Sequence, residues 1–122
     1  MEAAQRHRVL VVDDHLDIVN AMCTLLDALG HDTHALTRGG EVLATVESFR
    51  PTLVILDIGL PDVSGYELAR MLRARGHTGR LVALSGWGAP ADRQRALEAG
   101  FDEFLVKPID ADIVQEVLAR VG

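Results

Sequence analysis

Short apolar runs alternate along this chain with longer segments in which apolar residues recur at helical spacing. The runs predict five strands, which are Val9–Val12, His31–Thr37, Leu53–Asp57, Leu81–Ser85 and Glu103–Lys107. The central runs are apolar at successive positions, so both of their faces must be covered, as in a parallel sheet packed between helices. The run at 31–37 is mixed and short, which is typical of an edge strand.

Each strand is followed by a segment that predicts a helix. Apolar residues recur at helical spacing from Ile18 to Leu29 and from Val42 to Phe49, and breakers follow at Gly30 and Pro51. The remaining helices are predicted from the Ser64 cap to Gly76, from Pro90 to Gly100, and over Ala111–Val121. Five strand–helix units, (βα)5, predict one doubly wound α/β domain over residues 1–122, with its core at about 8–121 and helices on both faces of a five-stranded parallel sheet.

The overall charge limits which partners the chain can bind, and the cysteine content indicates the compartment in which it works. The 122-residue chain has a net charge of −6, which disfavours nonspecific binding to DNA or to anionic membrane. Because of this charge, we expect no nucleic-acid binding by this chain. No apolar run is long enough to span a membrane, so we also expect no membrane insertion. Cys23 is the only cysteine and lies in a helical apolar pattern, which favours a core thiol and a reducing, cytoplasmic location.

Polar side chains stand at the ends of four predicted strands. Asp13 and Asp14 follow the first strand, Asp57 ends the third, Ser85 ends the fourth, and Lys107 ends the fifth. In open parallel sheets, ligands bind outside the carboxyl ends of the strands, so we expect these residues to meet at one edge. Three converging carboxylates repel one another unless a divalent cation joins them, and oxygen ligands suit Mg²⁺ or Mn²⁺.

Four motifs carry a family resemblance from about Arg8 to about Val121. They are VVDD ending at Asp14, LVILDIGLPDVSGYEL around Asp57, LVALSG ending just after Ser85, and FLVKP around Lys107. As a set, in this order and spacing, they resemble the receiver domain of two-component response regulators. The resemblance implies a flavodoxin-like fold. It also implies phosphorylation by a histidine kinase or a histidine phosphotransfer protein.

The resemblance also implies roles for the residues at the strand ends. Asp57 would be the phosphoacceptor, a carboxylate nucleophile that forms an acyl phosphate. Asp14 would bind Mg²⁺ directly, together with Asp57 and the backbone carbonyl of Gly59, and Asp13 would reach the metal mostly through water. Lys107 would pair with Asp57 and later with the phosphate.

A switch is implied by residues of the fourth and fifth units. Ser85 would donate a hydrogen bond to the phosphate, and its movement would vacate space into which the switch aromatic Phe104 rotates. The face formed by the fourth helix, fifth strand and fifth helix would then be remodelled for a downstream protein. Gly86, Trp87 and Pro108 would line the site, and in this family Pro108 commonly follows the lysine through a cis peptide bond.

Two positions at the rim of the site are unusual. Gly59 has no side chain, so the metal side would be open, whereas Trp87 is large enough to cover the phosphate. In the family that the chain resembles, these positions tune how fast water attacks the acyl phosphate. We therefore expect Trp87 to shield the acyl phosphate, and a Trp87→Ala variant to lose its phosphate faster.

Other functions fit the residues less well. An aspartate-nucleophile phosphatase would have a second Asp at position 59, where this chain has Gly. A flavodoxin-like cofactor carrier would need a hydroxyl-rich phosphate loop, but DDHLD at 13–17 would repel a phosphate. The stretch Gly86–Ala91 fits a dinucleotide fingerprint but follows the fourth strand. Whether the chain is a single-domain regulator or the receiver of a hybrid sensor histidine kinase stays open, as do its kinase, stimulus and output.

Overall fold

The computed structural model describes residues 6–121, which form one sheet and five α-helices. The strands are β1 (Arg8–Val12), β2 (Asp32–Leu36), β3 (Leu53–Asp57), β4 (Arg80–Ser85) and β5 (Glu103–Val106). The helices are α1 (Leu16–Ala28), α2 (Val42–Phe49), α3 (Gly65–Ala74), α4 (Pro90–Ala99) and α5 (Ala111–Ala119), and a 3-10 turn over Gly39–Glu41 precedes α2. The predicted order of five strand–helix units is confirmed.

All strand pairs are parallel, and the order across the sheet is β2-β1-β3-β4-β5. The chain moves outward from β1 to β2, then crosses β1 to reach β3 and moves the other way. The order therefore reverses beside β1, the position at which doubly wound sheets form a crevice outside the carboxyl ends of the strands. The fold thus places the ends of β1 and β3 side by side.

The central strands separate two apolar cores because their side chains alternate between the faces of the sheet. One core lies under α1 and α5 and includes Val9, Val11 and Ile55. The other lies under α2, α3 and α4 and includes Leu10, Val12 and Leu56. Both faces of β1 and β3 are buried, as their continuous apolar runs predicted.

Three details refine the sequence interpretation. β5 ends one residue before Lys107: the Lys107 amide still donates to the Ser85 carbonyl at 2.8 Å, but Pro108 has no amide hydrogen with which to extend the ladder. Cys23 is half-buried against the core beneath α1 and α5. Across residues 6–121, none of the helices has the length and apolar character needed to cross a membrane.

Candidate functional site

The carboxyl edge of the sheet brings together the residues predicted to form the site. The Asp13 and Asp57 side chains are buried, whereas Asp14 is exposed at the surface. Lys107 reaches between the two buried carboxylates, with its Nζ 2.7 Å from Asp13 Oδ2 and 3.2 Å from Asp57 Oδ2. A single ammonium group therefore joins strands β1, β3 and β5 through their ends.

The Lys107 ammonium is held in its charged form. Burial acts to lower the pKa of Lys107, but the hydrogen bond to Asp13 and the charge of Asp57 outweigh it and raise that pKa above its usual value. Lys107 is only 16% exposed at its side chain, so water screens these interactions weakly. The amine is therefore a permanent positive charge beside Asp57 at neutral pH.

The environment of Asp57 disfavours its charged form more than that of an ordinary surface carboxylate does. Burial, assisted by the neighbouring charge of Asp13, raises the pKa of Asp57. The Gly59 amide opposes this shift by donating a hydrogen bond to Asp57 Oδ1 at 3.0 Å, and Lys107 opposes it at the other oxygen. Both carboxylate oxygens therefore have a donor, and the group is held in one orientation.

His15 is a member of the site that the sequence argument did not single out. Its backbone amide and its Nδ1 atom lie 3.0 and 2.9 Å from Asp13 Oδ1. Burial acts to raise the pKa of Asp13, but bonds from Lys107 and His15 outweigh it and lower that pKa. The signal in the sequence was the two-residue spacing, since Asp side chains commonly accept from the amide two positions later.

The donor groups at this edge fit a divalent cation. Asp13, Asp14, His15 and Asp57 each offer one ligand atom, and these atoms lie within 4.8 Å of one another. The buried Asp13 Oδ2 atom forms an ion pair with Lys107. Carboxylate oxygens are the ligands that Mg²⁺ and Mn²⁺ prefer, so the three aspartates match the predicted metal class.

Ser85 at the end of β4 is buried in the site, whereas Trp87, two residues later, is exposed at its rim. Ser85 is buried, and its hydroxyl oxygen accepts a hydrogen bond from the Trp87 amide at 3.0 Å. The Trp87 residue is 79% exposed, and Gly86 beside it is also exposed. The indole therefore lies out in solvent at the rim, and shielding of a phosphoryl group by Trp87 stays a prediction.

Phe104 lies in the core rather than on the surface. The residue is 4% exposed, and the guanidinium of Arg93 on α4 is centred 5.2 Å from the centre of its ring. Arg93 Nη1 also lies 3.4 Å from the Phe104 carbonyl oxygen, at the long limit of a hydrogen bond. The ring already occupies the interior in this structure, so its inward rotation stays a prediction.

The loop between β3 and α3 is fixed by contacts that the sequence did not reveal. The Asp62 carboxylate accepts hydrogen bonds from the Gly39 and Gly40 amides at 3.0 and 2.9 Å, and these bonds lower the pKa of Asp62. At the far end of the loop, a Cβ atom on Gly65 would lie 2.5 Å from the Ile58 Cα atom and 2.9 Å from the Asp57 carbonyl oxygen. The start of α3 is therefore pressed against the backbone of Asp57.

The remaining predicted residues occupy the rim of the site. Gly59 is exposed, and the peptide bond between Lys107 and Pro108 is cis. His31 and His34 lie apart from this edge. His31 stacks on His7 before β1 with ring centres 5.4 Å apart, and the exposed His34 lies against Phe49.

Comparison with known proteins supports the resemblance to response regulator receiver domains over nearly the whole chain. Residues 9–119 match the family model described as "Response regulator receiver domain". The DNA-binding response regulator MtrA of Mycobacterium tuberculosis strain H37Rv is 34% identical over 116 residues, which cover 95% of this chain and 49% of MtrA. The transcriptional regulatory protein PrrA from the same strain is 35% identical over 114 residues, covering 93% of this chain and 48% of PrrA. The chain thus spans about half the length of these relatives.

Solved structures agree with this assignment. The receiver domain of the putative response regulator NarL from M. tuberculosis is 26% identical with a TM-score of 0.86, covering 95% of this chain and 96% of that one. A CheY-like receiver domain protein from Methanospirillum hungatei is 25% identical with a TM-score of 0.88, covering 96% and 94%. Together with the flavodoxin-like sheet and the acidic edge, these matches show that the chain belongs to the response regulator receiver domain family of two-component systems.

Proposed function

We propose that Asp57 accepts a phosphoryl group from a histidine kinase or a histidine phosphotransfer protein, in a reaction that depends on Mg²⁺ or Mn²⁺. The observation that carries this proposal is the environment of the Asp57 carboxylate. It is buried at the end of β3, one oxygen contacts the Lys107 ammonium, and the other accepts from the Gly59 amide. A nucleophile held in this way loses little freedom when it reacts.

The transfer follows from the contacts of these residues. A carboxylate oxygen of Asp57 attacks phosphorus, the P–N bond to the donor imidazole breaks, and that nitrogen keeps the electron pair and takes up a proton. Lys107 stays charged throughout and offsets the negative charge gathering on the phosphoryl oxygens. Asp13, Asp14, Asp57 and the Gly59 carbonyl would hold the metal, which would supply positive charge to offset the negative charge of the phosphoryl oxygens.

The later steps involve the rim of the site. Ser85 would donate its hydroxyl hydrogen to a phosphate oxygen while its oxygen still accepts from the Trp87 amide, so the two residues would move together. Hydrolysis by water then returns Asp57 to its carboxylate. Gly59 leaves one side of the acyl phosphate open to water, and we propose that the Trp87 ring folds over the other side.

The proposed output surface is formed by α4, β5 and α5. It contains the exposed apolar residues Leu97 and Val106, and Arg93 connects it to the buried Phe104 ring. Movement of Ser85 would change the packing of Phe104 and thereby this surface, which a downstream protein reads. MtrA is named as a DNA-binding regulator, but with a net charge of −6 we propose that this chain itself contacts protein rather than nucleic acid, in the cytoplasm.

A phosphatase acting on external substrates is not favoured. The family match assigns a signalling receiver, and the position two residues after Asp57 is Gly59 rather than a second aspartate. We propose that the chain catalyses only its own phosphorylation and dephosphorylation.

Intact mass after incubation with a small-molecule phosphodonor tests the proposal. We expect one phosphoryl adduct that requires Mg²⁺ and is absent in Asp57→Asn. An adduct that persists in Asp57→Asn would place the site elsewhere. For the rim, the adduct on Trp87→Ala should disappear faster than on wild type, with Trp87→Phe as the control that keeps an aromatic ring. Equal decay of all three would remove the shielding role from Trp87.

A further inference from the structure

A second cavity lies at the opposite, amino end of the sheet and is not used by the proposed phosphotransfer. Its volume is about 460 Å³, within the range of small-molecule sites. It is bounded by the end of α2, the loop before β4 and the end of α5. The lining residues include Arg50, Thr52, His77, Thr78, Arg80 and Arg120.

Positive charge predominates around this cavity although the whole chain is acidic. Arg80 and Arg120 both pair with the Glu103 carboxylate, and Arg73, behind the wall, pairs with Asp102. Asp102 also accepts a hydrogen bond from the Leu81 amide at 2.8 Å. With Arg50, four guanidinium groups are therefore balanced by two carboxylates, which leaves an excess of two positive charges.

Arg50 combines a position at the end of α2 with a side chain that is exposed at the cavity. It ends α2 in the left-handed conformation with φ at 53°, a position that glycine or asparagine adopts more easily. Its side chain is exposed at the cavity, and it takes part in none of the ion pairs found within residues 6–121. An arginine kept at a strained position without a partner is a reason to look for function.

The loop before β4, which also lines the cavity, is held by hydrogen bonds from Arg73. Arg73 Nη1 donates to the carbonyl oxygens of His77 and Gly79 at 2.9 and 2.8 Å and so fixes the loop before β4. The His77 ring presses on Gly79, where a Cβ atom would lie 2.7 Å from His77 Nε2. That Nε2 atom is buried and has no hydrogen-bond partner among the described residues. The loop therefore presents a preformed polar surface.

We propose that this cavity binds a small molecule carrying two or more phosphate groups. The planar guanidinium fork matches phosphate oxygens in pairs, and an excess of two positive charges calls for more than one negative charge. A bounded cavity suits a compact ligand, whereas the acidic surface of the rest of the chain repels a long anionic polymer. Because the cavity lies at the other end of the sheet, this inference does not depend on phosphorylation of Asp57.

The test is a titration with inorganic pyrophosphate at constant ionic strength and without divalent metal, followed by ¹H–¹⁵N amide spectra. We expect saturable shifts at Thr52, in the loop 77–80 and at Arg120. Arg50→Gly removes the guanidinium while relieving the left-handed strain, so it should fold with an undiminished Tm and bind about tenfold more weakly. Arg70→Ala, which removes an exposed arginine of α3 outside the cavity, should bind like wild type.

Several results would overturn the proposal. Shifts that do not saturate, that centre on the carboxyl edge of the sheet, or that are equally strong in Arg50→Gly would each exclude this cavity as a phosphate site. Equal weakening in Arg70→Ala would show general charge attraction instead. Arg50→Gly should still form the phosphoryl adduct at Asp57, so a failure of this proposal is distinguishable from a failure of the proposed function.

Discussion

The two ends of the sheet differ in how charge is matched. At the carboxyl end, Asp13 and Asp57 share one ammonium group, and Asp14 adds a third negative charge nearby. At the amino end, two carboxylates are matched by arginines, of which Arg73 also binds backbone carbonyl groups. One end therefore holds unfavourable charges close together, whereas the other uses charge to secure its loops. The comparison indicates that the carboxyl end tolerates destabilising charges, whereas the ion pairs of the amino end stabilise the fold.

The direction of the helices supports this division. In a parallel sheet, helix amino termini lie near the carboxyl ends of strands, and helix carboxyl termini lie near the amino ends. Helix dipoles favour anions at helix amino termini and cations at helix carboxyl termini. Arg50, Arg75 and Arg120 follow the ends of α2, α3 and α5, as this rule predicts.

The largest effect is expected from Lys107→Met in Mg²⁺-free buffer. Two buried carboxylates would lose their shared cation, and breaking a buried pair by removing one partner should lower the free energy of unfolding by about 3 kcal/mol. Urea denaturation followed by circular dichroism measures this. Lys107→Arg keeps the charge, so its free energy of unfolding should fall less. Mg²⁺ should restore part of the stability lost in Lys107→Met. Unchanged stability of Lys107→Met would show that the carboxylates do not need the ammonium group.

At the amino end, Arg73→Ala should lower the free energy of unfolding by about 2 kcal/mol. Arg73 bonds the carbonyl oxygens of His77, Gly79 and Gly100 as well as Asp102, so its loss leaves several acceptors unpaired. Arg73→Lys keeps the charge but not the planar guanidinium group, so it should retain only part of the stability lost in Arg73→Ala. The Mg²⁺-dependent adduct at Asp57 should still form in Arg73→Ala below its melting temperature. Loss of that adduct in the folded variant would show that the two ends are coupled.

Matched Asp→Asn changes at the two ends should have opposite signs. The raised pKa of Asp57 means that the folded state disfavours its charged form at pH 7, so Asp57→Asn should stabilise the metal-free protein by about 1 kcal/mol. Asp102→Asn removes an acceptor used by Arg73 and the Leu81 amide and should destabilise it. Thermal denaturation in EDTA compares the two variants. The same sign at both positions would contradict the division between the ends.

The smallest effect expected is a pH dependence at His77. Burial, together with the charge of Arg73, lowers the pKa of His77, and Asp102 opposes this only in part. Below about pH 6.5 the unfolded chain binds the proton more readily, so stability should fall as the pH falls. His77→Gln should lose less stability than wild type between pH 7 and pH 5.5 in urea titrations. Parallel pH profiles for the two proteins would remove His77 as the cause.

The sequence predicted the strand order along the chain and the meeting of Asp13, Asp57 and Lys107, because apolar runs and strand ends are local features. It did not reveal His15 on Asp13 or Asp62 on the 3-10 turn, since side-chain bonds of that kind depend on loop conformation. The contact of Phe104 with Arg93 also had no local signal, because Arg93 lies on another helix. The amino-end cavity was missed because its lining arginines come from three distant segments.

Gly65 has a consequence for how such a domain can diversify. Any side chain at this position would collide with the backbone of Asp57 and Ile58, so substitution there would push the nucleophile out of place. By contrast, a Cβ atom on Gly59 would make only an ordinary contact of 3.6 Å with Asp57 Oδ1, and Trp87 is 79% exposed, so both residues can change without repacking the core. Under the proposed function, evolution could therefore adjust the lifetime of the signal at the rim while Asp57 keeps its position, and a designer retuning the timing of this domain would have the same freedom.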